Sequence, residues 1–207
     1  MKIKLKMAMK NRCRTLPWFL LAALLATASC RRESTGVPRP EGLMRIDRPD
    51  TSYRTVSLTF PLTFEIASQA RVEQEVASPT WVNIVYPPYD ATLWCSYIAL
   101  TPATRATRYA ESRDLVYVHA SKSPSIEVRR YADDRRRVYA LLYYLSGEAA
   151  TPLQFEVTDS AAYLFRGALY FDTPVRGDSV APVVGYIADD VAHMIETLQH
   201  TANNADK

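Results

Sequence analysis

Asp189, Asp190, His193 and Glu196 come nearest, by residue type and spacing, to a metal site in this 207-residue chain. On a helix His193 would stand beside Asp189, four residues back, and Glu196, three residues on. A closed zinc site takes four ligands, so such a pair would need partners from elsewhere. A solvated helix face accounts for the same residues, and no metal is assigned. His119 and His200 fall at predicted helix ends, where an imidazole suits the helix dipole. For nucleophilic catalysis the chain offers Ser160 in Thr158-Asp159-Ser160. No G-x-S-x-G elbow surrounds it, no base can be named, and Asp-Ser is ordinary turn chemistry. The carboxylates Asp133-Asp134 are followed directly by Arg135-Arg136-Arg137, and charge compensation on an exposed hairpin explains all five. With six glycines and no Walker or dinucleotide motif, phosphate-cradling loops are not expected. The expectation is no catalytic residue and no cofactor.

Recognition is the other chemistry on offer. Trp81, Tyr86, Tyr89, Trp94 and Tyr97 cluster around one predicted hairpin. Aromatic side chains this dense form sugar- or peptide-binding patches, and equally a core; strand alternation sends about half of them inward. Tyr89, between Pro88 and Asp90, is expected at an exposed turn. Tyr89, Trp94 and Trp81 are therefore the candidate partner-binding residues.

Cys30 suggests covalent chemistry. Lys2, Lys4, Lys6, Lys10, Arg12 and Arg14 precede an apolar run of 13 residues, Leu16 to Ala28. A membrane-spanning helix needs about 20, so the run reads as an export signal. Its small residues directly before Cys30 resemble a bacterial lipoprotein signal, in which the cysteine is acylated and becomes the N-terminus. Thr27 stands where that pattern usually has Leu, Val or Ile. Ala26-Thr27-Ala28 is itself an A-x-A site, whose cleavage would release a soluble protein from Ser29. The lipoprotein reading is preferred because it explains the cysteine.

The signal also changes the charge argument. Residues 1–29 hold six of the 25 Lys and Arg and none of the 22 Asp and Glu, leaving 19 basic against 22 acidic residues, net −3. The overall charge of +3 belongs to the leader and gives no reason to expect nucleic acid. Cys13 would leave with the leader. Cys95, inside Leu93-Trp94-Cys95-Ser96-Tyr97, reads as a small, inert core residue, with a Cys30–Cys95 disulfide as the alternative if Cys30 stays unmodified.

The elements that must position these residues are mostly strands. Leu58–Ile66 alternates apolar and polar residues, with Pro61 restricting it to an edge or a break. Three hairpins are expected: 81–86 with 91–100 across Pro87–Asp90, 125–131 with 137–145 across 132–135, and 154–158 with 163–171 across Asp159-Ser160. The run 138–145 is apolar on both faces and is expected at the sheet centre. A helix from Ala103 to about His119 would open on Thr101 as N-cap and Pro102 as first residue. A second, Ser179 to Gln199, carries the stripe Val184, Ile187, Val191, Ile195 and Leu198. The sum is an α+β domain, an antiparallel β-sheet with flanking helices. Residues 1–29 are read as lipoprotein signal, 30–42 as a proline-rich tether, 43–200 as a single domain and 201–207 as a disordered tail.

The chain resembles the GldD family, lipoproteins of bacterial gliding motility found beside type IX secretion components. The resemblance rests on Phe60-Pro-Leu-Thr-Phe-Glu65, Trp81-Val-Asn-Ile-Val-Tyr-Pro87, Ala149-Ala-Thr-Pro-Leu-Gln-Phe155, Val157-Thr-Asp-Ser160, Arg166-Gly-Ala-Leu-Tyr-Phe171 and the segment Ile187–Leu198. It implies a non-enzymatic accessory, anchored to a membrane through Cys30 and working with other gliding and secretion machinery proteins. It brings no catalytic residues. Arg31-Arg32, which is not the acidic run associated with surface export in these bacteria, implies a domain facing the periplasm. The strand order and closing helix are similar to the PsbP/Mog1-like α-β-α layered fold. The basic N-terminus is longer than the family's, with Met7 and Met9 as alternative starts. The alternative function is an envelope lipoprotein that binds a small ligand or glycan through the aromatic hairpin.

Overall fold

The computed structural model describes residues 52–120, 123, 125–147, 149–172 and 177–201; Cys30, the leader, the tether and the tail beyond Thr201 lie outside them. Twelve elements follow in order: β1 Tyr53–Ser57, β2 Leu62–Ala67, β3 Arg71–Glu73, β4 Trp81–Tyr86, β5 Ala91–Ala99, α1 Arg105–Ala120, β6 Ile126–Asp133, β7 Val138–Leu145, β8 Leu153–Thr158, β9 Tyr163–Phe171, α2 Gly177–Thr197 and β10 Gln199–His200. The fold is α+β, two helices with antiparallel sheets, as the patterning predicts.

Seven strands form one sheet in the order β3-β4-β5-β9-β8-β7-β6, and β1-β2-β10 form a second. Pro61, which cannot donate to a ladder, falls in the connection between β1 and β2, and only Leu62–Ile66 of the Leu58–Ile66 run is strand. Its carbonyl accepts from Thr201 N at 3.0 Å, beside the pairing of His200 with Leu62. The three predicted hairpins form. Their turns are set by residues with positive φ: Asp90 (46°), Arg137 (54°) and Ser160 (68°).

Register separates the two faces of the large sheet. Val82, Cys95, Gly167, Phe155 and Leu142 share one row. This inner face joins β2 and the buried stripe of α2 (Val183, Ile187, Val191, Met194, Ile195 and Leu198) in one apolar core. Val184 of the expected stripe is only half-buried, because the helix turns Val183 inward instead.

The opposite, outer face carries α1. Thr101 and Thr104 cap its first turn reciprocally: Thr101 Oγ1 accepts from Thr104 N at 3.2 Å and Thr104 Oγ1 from Thr101 N at 3.2 Å. The run 138–145 is not at the centre; β7 is next to the edge strand β6. Its two-sided apolarity has another cause. Ala140 and Leu142 face the main core, while Tyr143 and Leu145 pack beneath Val116 of α1.

Candidate functional site

The His193 group becomes a packing device. His193 Nε2 lies 2.7 Å from Glu65 Oε2 on β2, and its ring stacks on Tyr53 with centroids 3.6 Å apart. The Tyr53 hydroxyl donates to Asp190 Oδ1 at 3.3 Å. The residues that looked like ligands on one helix therefore fasten α2 to the β1–β2 hairpin, while Asp189 and Glu196 are exposed. Among the described residues, no group of three or more His, Cys, Asp or Glu could hold a metal ion. His200 lies on β10 rather than a helix and stacks on Tyr163 with centroids 4.9 Å apart; the side chain of His119 is outside the described set.

Ser160 is a turn residue. The buried Asp159 carboxylate organises its loop, with Oδ1 accepting from the N–H groups of Ala161 at 2.9 Å, Ala162 at 2.7 Å and Tyr163 at 3.3 Å. The Asp133–Arg137 turn is built the same way. Asp133 Oδ1 accepts from the backbone of Arg135 and Arg136, and Oδ2 from Arg136 Nε at 2.7 Å. Arg136 also donates to the carbonyls of Glu196 and Leu198 at the end of α2, where a cation complements the helix dipole. These hydrogen bonds, the Arg136 side chain first, hold the Asp133 carboxyl below the usual carboxylate range.

The aromatic set divides by face. Tyr86 and Tyr97 point to the core, where Tyr97 stacks on Phe60 with centroids 4.7 Å apart. Tyr89 does not take the exposed position that its turn predicts; it is half-buried against that core because the 3-10 turn Pro87–Tyr89 folds it back. Burial raises its hydroxyl pKa, with the Gln69 side chain opposing. Trp81 and Trp94 remain outside, 56% and 47% exposed, on neighbouring strands of the outer face. Cys95, directly behind them, is a buried free thiol whose pKa burial pushes up.

Trp81 and Trp94 form one wall of a cleft of about 160 Å³ whose other wall is α1, at Ser112, Leu115 and Val116. Its floor is hollow because Ser96 and Ala168 are small. Two polar residues face each other there in register, Glu156 and Arg166. Glu156 accepts from Ser112 Oγ at 2.9 Å and from the Tyr143 hydroxyl at 3.1 Å. Burial, followed by that carboxylate, raises the Tyr143 pKa. Arg166 donates from Nε to Ser96 Oγ at 3.2 Å, and partial burial lowers its pKa. The arrangement can present an aromatic surface with hydrogen-bond donors and acceptors beside it. Arg166 and Glu156 escaped sequence reasoning because strand register, not local spacing, puts them opposite one another. The visible signal was the pair of small residues, Ser96 and Ala168, inside otherwise bulky strands.

Among the described residues no helix is long and apolar enough to cross a membrane. No match was found among curated proteins. A family model described as gliding motility lipoprotein GldD matches residues 33–200, which contain every element above. Its span includes the inner-face strands, the Asp159 turn and α2. The chain therefore belongs to the GldD family of gliding motility lipoproteins, as an envelope-associated component of gliding motility.

Proposed function

We propose that the protein is a membrane-anchored, non-enzymatic component of the gliding motility and type IX protein secretion machinery. In this reading residues 1–29 are removed as a lipoprotein signal. Acyl chains on Cys30 hold the protein to a membrane, and residues 30–42 tether a single PsbP/Mog1-like domain, 43–200, on the periplasmic side. The carrying observation is the family match, which begins three residues after Cys30 and runs to residue 200. The structural roles of the catalytic candidates support the non-enzymatic part. Ser160 shapes a turn, the Asp133 carboxylate is committed to Arg136, and His193 is committed to Glu65.

Cross-linking intact cells, isolating membranes and capturing the tagged full chain tests the reading. Recovery of gliding or secretion proteins is expected. Capture that returns only unrelated envelope proteins would count decisively against it.

A further inference from the structure

The register of the large sheet sets Glu73, Asn83, Trp94, Ala168 and Gln154 in one row across β3, β4, β5, β9 and β8. Trp81 is diagonal to Trp94 on the same face, so two indoles lie side by side. Tryptophan is highly buried on average, whereas both of these are about half exposed. Hollows of about 160 Å³ flank the pair. One lies over Ser96 and Ala168 toward Arg166, the other over Asn83 toward Glu73 and Glu75. At roughly 30 Å³ of liquid volume per water, each holds the equivalent of about five waters, the scale of one six-membered ring.

We propose that this row is a binding site for a neutral oligosaccharide about three rings long, laid across β3, β4, β5 and β9 with its ring faces on Trp81 and Trp94. The three strand spacings span about 14 Å, which matches that length. Sugar hydroxyls both donate and accept, and the row offers both complements: the carboxylates of Glu73 and Glu75, and the N–H groups of Asn83 and Arg166. Among the described residues Glu73, Glu75 and Asn83 make no side-chain hydrogen bond of their own. A ligand of one charge sign would be matched at one end and repelled at the other. An extended peptide draws affinity from main-chain pairing, and β4, β5 and β9 are already paired on both sides. A saccharide needs side chains alone.

The site is independent of the machinery reading above, and its test uses no partner protein. The chain has three tryptophans and Trp18 lies within residues 1–29, so the protein processed at Cys30, held in detergent, has Trp81 and Trp94 as its only indoles, and Trp18→Phe gives the same two in any unprocessed chain. Titration with cellotriose, maltotriose and tri-N-acetylchitotriose is expected to give a saturable change in indole emission with at least one of them. Ala168→Leu fills the hollow while leaving both indoles in place; it and Trp94→Ala are expected to weaken binding at least tenfold with an unchanged circular dichroism spectrum. If Trp94→Ala does not fold, Ala168→Leu decides alone. The proposal is overturned if no trisaccharide gives a saturable change, or if Ala168→Leu binds as well as its parent. It is equally overturned if only an extended mixed-sequence peptide of matched length changes the emission.

Discussion

Asp159 shows how much one buried carboxylate oxygen contributes when several donors share it. Three successive N–H groups converge on its Oδ1, that of Tyr163 buried and those of Ala161 and Ala162 nearer the surface, and removing the acceptor leaves them without this partner. Asp159→Ala is expected to destabilise the fold by about 2 kcal/mol in urea denaturation, and Asp159→Asn, which keeps the oxygen without the charge, by about half that. Equal losses in the two variants would contradict this account. Asp133 gives a pH-dependent counterpart. Its folded pKa is depressed, so the stability it contributes is complete above the ordinary carboxylate pKa and is lost as pH falls through the depressed value. The difference in urea midpoint between wild type and Asp133→Asn is therefore expected to be constant above about pH 5 and to narrow below about pH 4. A difference that stays flat down to the acid transition would show that the carboxylate is not committed to Arg136. Sequence alone marked both aspartates as turn residues. It did not show that Arg136 reaches across to close α2, because 60 residues separate Arg136 from Glu196.

At the scale of elements, glycine shows how packing overrides propensity. Gly167 lies inside β9, where glycine ordinarily weakens a strand. A Cβ there would collide with the Phe155 ring edge and meet Cys95 Sγ at 2.9 Å, so the inner face has room for hydrogen only. Gly167→Ala is expected to cost about 2 kcal/mol by overpacking. Gly185, on the exposed side of α2, has open space where an alanine methyl would sit, with nothing within 4 Å, and Gly185→Ala is expected to stabilise by about 0.5–1 kcal/mol. Denaturation midpoints moving in opposite directions check the pair. Alternation and stripe spacing predicted the hairpins and α2 correctly, since both signals are local. They misplaced β7, because apolarity on two faces reports that both faces are covered and says nothing of strand order. They also misjudged Tyr89, whose exposure depends on a turn that folds back on the core.

For the whole molecule, anchoring is the property most accessible to test. Cys30→Ala is expected to move the protein from the membrane to the soluble fraction and leave its folding transition unchanged, because the acyl chains supply the membrane affinity. Membrane retention of the variant would remove Cys30 as the anchor. The sequence by itself determined the α+β class, the hairpins, the closing helix and the family resemblance, all carried by short-range periodicity and contiguous motifs. Only the tertiary structure decided which face each aromatic takes, what His193 and Arg136 hold, and that a cleft opens between α1 and the outer sheet face. Those outcomes depend on strand register: Trp94 meets Ala168 across strands distant in sequence, and Glu156 meets Arg166 through the residue pairing within one hairpin, which alternation alone does not fix.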